Sequence, residues 1–179
     1  ILQTNLTQNQ RCSILLTLQL IKKMTTLKEN CQKLAEGNTI ELLIVVLQKH
    51  GDKIPTQNSA SNKHGNDGSD SRSEVAILCS QLIYDLTESA TIEVLERAGK
   101  NGVGEQIMYI VKYFLTLDVQ VVMNCCRCIW TLTHKHAANK RRFCEIGVCN
   151  PLVQILKRYQ DNAEVVFVAM GAARSVSTH

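Results

Sequence analysis

A chain of 179 residues with 45% apolar and 20% charged side chains has the composition of a folded protein, not of a disordered one. No apolar run approaches the roughly 18 residues of a membrane span, and a net charge of +4 spread along the chain does not by itself imply nucleic acid. Aromatics at 4% and two prolines, among dense Leu, Ile, Val and Ala, leave few strand or turn signals, so an all-α fold is expected.

Taken along the chain, residues from about 8 to 26 read as one helix with Ile14, Leu18 and Ile21 on a single stripe. A shorter helix follows at Asn30-Cys31-Gln32-Lys33-Leu34 and leads to a more apolar one at Leu42-Leu43-Ile44. Residues 51–73 then run through Gly, Ser, Asn and Asp with almost no apolar side chain after Ile54, which predicts a disordered insertion. Helical spacing resumes with Val75, Leu78, Leu82 and Leu86. The short-then-long pattern recurs twice. Ile92-Glu93-Val94-Leu95 leads through Gly99 to Ile107-Met108, and Asn139-Lys140-Arg141-Arg142-Phe143 leads through Gly147 to Pro151-Leu152-Val153. Aligning Asn30 on Asn139 places Leu34 on Phe143, Ile40 on Cys149, Leu43 on Leu152, Ile44 on Val153 and Leu47 on Leu156 without a gap.

A third helix closes each unit, at Leu82-Ile83-Tyr84-Asp85-Leu86, Cys128-Ile129-Trp130-Thr131-Leu132 and Ala169-Met170-Gly171-Ala172-Ala173. Tyr84 to Trp130 is 46 residues and Trp130 to Gly171 is 41, a period expected of stacked helical repeats. The stretch Asn-Lys-x-x-Phe-x-x-x-Gly-x-x-x-Pro-Leu-Val from Asn139 to Val153, with third helices of the type around Trp130, resembles the armadillo repeat family; the best-matched unit is residues 118–159. That resemblance implies a right-handed α-α superhelix: residues 1–26 as the last helix of a preceding repeat, then repeats at 27–88 (with the 51–73 insertion), 90–134 and 137–179. Both ends stop at a third helix without a polar capping unit, so the chain is expected to be a piece of a longer solenoid.

In this family the third helices line a concave groove that holds a partner helix or an extended segment, so a protein partner is expected. With Val121, Cys125, Ile129 and Leu132 facing the core, the opposite face carries Arg127, Trp130 and His134. The same phase gives Gln81, Tyr84 and Glu88 in the first repeat and Val168, Gly171 and Ser175 in the third. Peptide-binding members carry an asparagine four residues beyond the tryptophan; here Glu88, His134 and Ser175 stand there, and the asparagine ladder is absent. Arg127 beside Trp130 is the expected anchor, because Trp, Tyr and Arg dominate interface energetics; the alternative for Trp130 is packing between adjacent third helices, since large aromatics are also common in cores.

Other chemistries find little support. The basic run Lys135, His136, Lys140, Arg141 and Arg142 offers a phosphate- or RNA-binding alternative, but no aromatic is interleaved to stack bases, so nucleic acid is not expected. Eight cysteines sit mostly in apolar helical stretches rather than in loops and read as reduced, which places the chain in the cytoplasm, with nucleus or cilium as alternatives, and leaves the sequon at Asn5 unmodified. Cys125 and Cys128 lack the second short-spaced motif of a structural zinc site, so no metal or other cofactor is expected. Gly99-Lys100-Asn101-Gly102-Val103-Gly104 follows a helix and lacks the Gly-Lys-Ser/Thr ending of a phosphate loop; with no nucleophile elbow or paired carboxylates elsewhere, an enzyme is not expected.

Overall fold

The structure, a computed structural model, describes residues 2–51, 70–134 and 136–178, with side chains placed over 10–49, 74–134 and 136–178. The described residues form ten helices and no strand. They are α1 (Leu2–Met24), α2 (Lys28–Glu36), α3 (Thr39–Gly51), α4 (Asp70–Glu88), α5 (Ile92–Lys100), α6 (Val103–Phe114), α7 (Val119–Thr133), α8 (Ala137–Glu145), α9 (Cys149–Arg158) and α10 (Ala163–Ser177). The fold is all-α. None of these helices is long and apolar enough to cross a membrane.

Local chemistry punctuates the chain at equivalent places. Thr91 accepts from Val94 N, Asp118 from Gln120 N and Val121 N, His136 from Asn139 N and Asn162 from Val165 N, so α5, α7, α8 and α10 each begin on a side-chain cap. The turn between the first and second helix of each trio needs one left-handed residue: Asn38 (φ 63°), Gly102 (φ 81°) and Gly147 (φ 78°) supply it. Gly99 is not that break. It lies inside α5, where an added Cβ would stand 2.0 Å from Asn139 Oδ1, so its role is to admit a neighbouring helix.

The longest helix of each trio builds the spine. α4 packs along α7 and α7 along α10, the two most extensive helix pairs, while α1 lies on α4. Cross-pairs advance together along both helices of each pair, so α4, α7 and α10 run parallel: Asn124 Nδ2 reaches Ser80 Oγ (3.4 Å) and Thr131 meets Thr87 (2.8 Å), while Arg127 donates to Glu164 (3.1 Å) and Thr133 to Ser175 (2.9 Å). These buried hydroxyl and amide bonds fix register in a seam otherwise made of small apolar side chains. Burial sets the equivalences: Val75, Cys79, Leu82 and Leu86 match Val121, Cys125, Cys128 and Leu132, which match Val165, Ala169, Ala172 and Val176.

Adjacent trios are also tied at their first helices. Arg97 on α5 donates from Nε to Glu41 on α3 (2.7 Å) and from Nη2 and Nη1 to the carbonyls of Ala35 (2.6 Å) and Glu36 (3.3 Å), groups left without helical partners at the end of α2. Asn139 on α8 is fully buried and spans three helices: Nδ2 donates to Leu95 O on α5 and Leu132 O on α7, both at 2.9 Å. Asn30 on α2, two units earlier, makes one bond of this kind, donating to Met24 O at the end of α1 (3.0 Å).

Several expectations need correction. The apolar alignment is one residue out, because it was anchored on the two asparagines. Val148, Pro151, Leu152 and Ile155 are the buried residues of α9, matching Ile40, Leu43, Ile44 and Leu47 of α3, while Cys149 and Val153 are exposed. Leu78 is half-buried rather than fully buried. Helices claim both edges of the expected 51–73 insertion, since α3 runs through Gly51 and α4 begins at Asp70; an Asp–Ser-rich first turn suits a helix N-terminus. Residues 52–69 of that insertion lie outside the described residues.

The cysteines are free thiols, and their burial decides their chemistry. Desolvation pushes Cys79 and Cys126 up to about 12 and raises Cys125 and Cys128 further above the usual thiol range. At pH 8 these four carry essentially no thiolate. A maleimide reaction on the folded protein should therefore label exposed Cys12, Cys144 and Cys149 and spare these four until denaturant is added. Labelling of Cys125 or Cys128 in the native state, read by mass spectrometry, would contradict this packing.

Candidate functional site

One face of the third-helix spine opens into a groove of about 690 Å³ between the C-terminal halves of α4 and α7 and the N-terminal half of α10, with the start of α5 at its edge. That volume lies in the range of ligand and anchor pockets. Tyr84 and Glu88 enter it from α4, Arg127, Trp130 and His134 from α7, and Glu164 and Phe167 from α10. Five of the six residues expected from sequence thus meet around one opening. Gln81 shares the Tyr84 face of α4 and is half-buried but does not line the groove.

The helix phase explains the convergence. Val121, Cys125, Ile129 and Leu132 are all fully buried, which turns Arg127, Trp130 and His134 to the opposite side of α7. On α4 the same geometry places Leu82 and Leu86 inward and Tyr84 and Glu88 outward. On α10 the expected phase is wrong. Val168 lines the groove but is only 4% exposed, Ser175 (6%) is buried by its bond from Thr133, and Gly171 lies directly under Trp130. Burial equivalence puts Arg174, not Gly171, at the position matching Trp130.

Aromatic faces dominate the groove. Trp130 and Phe167 stand 5.9 Å apart at 60°, and Phe167 is 67% exposed, so its outer face is open to a partner. Trp130 is only half-exposed: an added Cβ on Gly171 would fall 2.2 Å from its Cζ3, so the inner edge of the indole is already seated against α10. Trp130 therefore joins two helices and walls the groove at once.

Charge is arranged around these rings. Arg127 Cζ lies 6.0 Å from the Tyr84 ring centroid, at the limit of a cation–π contact, and Nη2 donates to Glu164 (3.1 Å), a pair of small energetic weight because the Glu164 carboxylate is largely exposed. Tyr84 donates its hydroxyl to Glu88 (3.1 Å); burial, then that bond, raises the phenol above its ordinary range. His134 is exposed at the C-terminus of α7, its backbone N–H closing on Trp130 O. The site has aromatic contact area and a few orienting polar groups. It holds no nucleophile paired with a base, and no cluster of His, Cys, Asp and Glu among the described residues is placed to hold a metal ion.

The basic run lies elsewhere and is largely engaged. Lys140 donates to the carbonyl of Thr178 at the end of α10, and Arg142 donates to Asn139 Oδ1 (2.8 Å), leaving Arg141 exposed among these; Lys135 lies outside the described residues. His136 is buried as the cap of α8 and unavailable to a ligand. Sequence reasoning missed Glu164 and Phe167, since Phe167 reads as one more core residue in an apolar helix.

No family model, curated protein or solved structure matches this chain.

Proposed function

We propose that the chain is an armadillo-type, right-handed α-solenoid acting as a non-enzymatic protein-interaction scaffold, with a helix or extended segment of a partner protein held in the groove of its third helices. The observation that carries this reading is the groove itself, where Tyr84, Trp130 and Phe167 expose aromatic surface beside Arg127, Glu88, Glu164 and His134. Aromatic and Arg side chains with a polar rim are the composition of an interface centre. Support for the repeat architecture comes from one leading helix followed by three trios, with equivalent caps, left-handed turns and buried positions in successive trios. Engagement of Lys140 and Arg142 within the fold weighs against a phosphate-binding role for the basic run.

A photo-crosslinking residue at position 167 identifies what enters the groove: a peptide of a partner protein is expected, whereas crosslinks to RNA, or none, reject the reading. A synthetic segment of that partner should then bind the Arg127→Ala/Phe167→Ala double variant about 2 kcal/mol more weakly than wild type, roughly 30-fold, because truncated interface anchors cost at least that much. Neither side chain is core, so the helical circular dichroism should persist. Affinity should change only shallowly between low and moderate salt, unlike a phosphate-binding surface.

A further inference from the structure

The α4–α7 part of the groove belongs to the interior of the spine. α1 packs on α4 and α10 on α7, so both neighbours of this seam are in place, and Tyr84, Glu88, Trp130 and His134 still line an opening. Its polar groups decide what form of chain can enter. Thr87 and Thr131 contact each other (2.8 Å) and lie 3.0 and 3.1 Å from the carbonyls of Tyr84 and Cys128 on their own helices. The Tyr84 hydroxyl goes to Glu88 (3.1 Å). No Asn or Gln side chain lines the opening, since Asn124 is turned to Ile77 O and Ser80 and Gln81 lies outside it. An extended segment buries backbone N–H and C=O groups together and needs donors and acceptors in alternation to receive them. This floor has no such ladder. A helix arrives with its backbone groups already paired along its own axis and asks only for apolar contact.

The charge left over names a side chain that helix carries. Arg127 is matched by Glu164 (3.1 Å), and the two cancel. α4 ends in Asp85 and Glu88 with no basic residue in its last turn, so both carboxylates stand at the negative end of the helix dipole. Asp85 is matched by Lys22 on α1. Glu88 is exposed, accepts the Tyr84 hydroxyl, and pairs with no cation among the described residues.

We propose that the partner segment enters this groove as an amphipathic α-helix, its apolar face on Tyr84 and Trp130 and a lysine or arginine beside that face paired with Glu88. This occupant presupposes the protein-interaction reading above and narrows it to one conformation and one charge.

Trp130 is the only tryptophan of the chain, so its fluorescence reports what occupies the groove. Three synthetic peptides without tryptophan serve as probes. The first is a hydrocarbon-stapled helix with leucines at i, i+3, i+4 and i+7 flanked by lysines. The second keeps those leucines and lysines, unstapled, with prolines that forbid a helix. The third is the stapled helix with glutamate in place of lysine. The lysine helix should shift the Trp130 emission saturably, and the other two should bind at least about tenfold more weakly, the former for unmet backbone groups and the latter for like charge. Glu88→Gln still accepts the Tyr84 hydroxyl, so the fold should persist, yet it should weaken the lysine helix about fivefold, the size of one exposed ion pair. Equal or tighter binding of the proline form overturns the helical occupant and leaves a protein-binding groove standing. A glutamate helix that binds as well as the lysine one, or a Glu88→Gln protein that binds the lysine helix unchanged, overturns the paired cation. A Trp130 emission unmoved by all three overturns the proposal outright, and the crosslink at position 167 then tells whether the groove still receives a protein.

Discussion

Asn139→Ala should lower the unfolding free energy by about 3 kcal/mol, more than a typical surface or half-buried change. The side chain is fully buried and its amide donates to two carbonyls on two other helices, Leu95 O and Leu132 O. Leu132 sits in the last turn of α7, where carbonyls have no helical partner, so alanine leaves that oxygen buried and unsatisfied. An orphaned buried acceptor costs about 1–3 kcal/mol, and the lost partner of Arg142 and the void facing Gly99 add to it. Asn139→Asp should be worse, since a carboxylate cannot donate to either carbonyl. Urea denaturation, read as a midpoint shift at constant slope, measures both. A loss under about 1 kcal/mol for Asn139→Ala, the range of an ordinary surface change, would show that the three helices are not joined through this amide.

That residue also shows where sequence reasoning stops. The helices were legible because apolar side chains recur at helical spacing over long stretches, and the trio rhythm because a short polar helix precedes a longer apolar one three times. The register of the second helices was not. Alignment on Asn30 and Asn139 matched two residues that do similar work, but burial shows Cys31 and Ala35 equivalent to Asn139 and Phe143, one residue away. Polar landmarks carry the bond they make, not the helix phase. The locks of Arg97 on Glu41 and of Asn139 on Leu95 join positions 56 and 44 residues apart, and no local pattern encodes such pairs.

The groove was legible on α4 and α7 for a physical reason that failed on α10. In α7 the inward Val, Cys, Ile and Leu contrast with Arg127 and His134, so the outward face declares itself. In α10 the sequence Val165-Val166-Phe167-Val168-Ala169-Met170 is apolar on every side, and hydrophobic contrast cannot fix the phase. What fixes it is volume: the glycine sits wherever the tryptophan of the neighbouring helix arrives.

That fit yields the second large effect, a reversal of sign at Gly171. In the wild-type background Gly171→Ala should cost about 2 kcal/mol, because the new Cβ would stand 2.2 Å from Trp130 Cζ3 and 2.3 Å from Cε3, and relieving an overpacked seam takes about 1–3 kcal/mol. Trp130→Ala alone should cost about 2–3 kcal/mol, below the usual aromatic truncation because the ring is only half-buried. With Trp130 gone the space opens, and alanine outranks glycine inside a helix by about 0.5–1 kcal/mol. Gly171→Ala should therefore stabilise the Trp130→Ala protein, giving a coupling of about 2.5–3 kcal/mol in a double-mutant cycle, a size expected only of residues in direct contact. Thermal and urea melts of the four proteins supply the cycle. Additive effects would mean that the indole does not rest on Gly171, and Trp130 would then be free to serve the groove alone. A reversed sign would instead assign Trp130 first to the α7–α10 seam, and leave partner affinity to be read from Arg127 and Phe167.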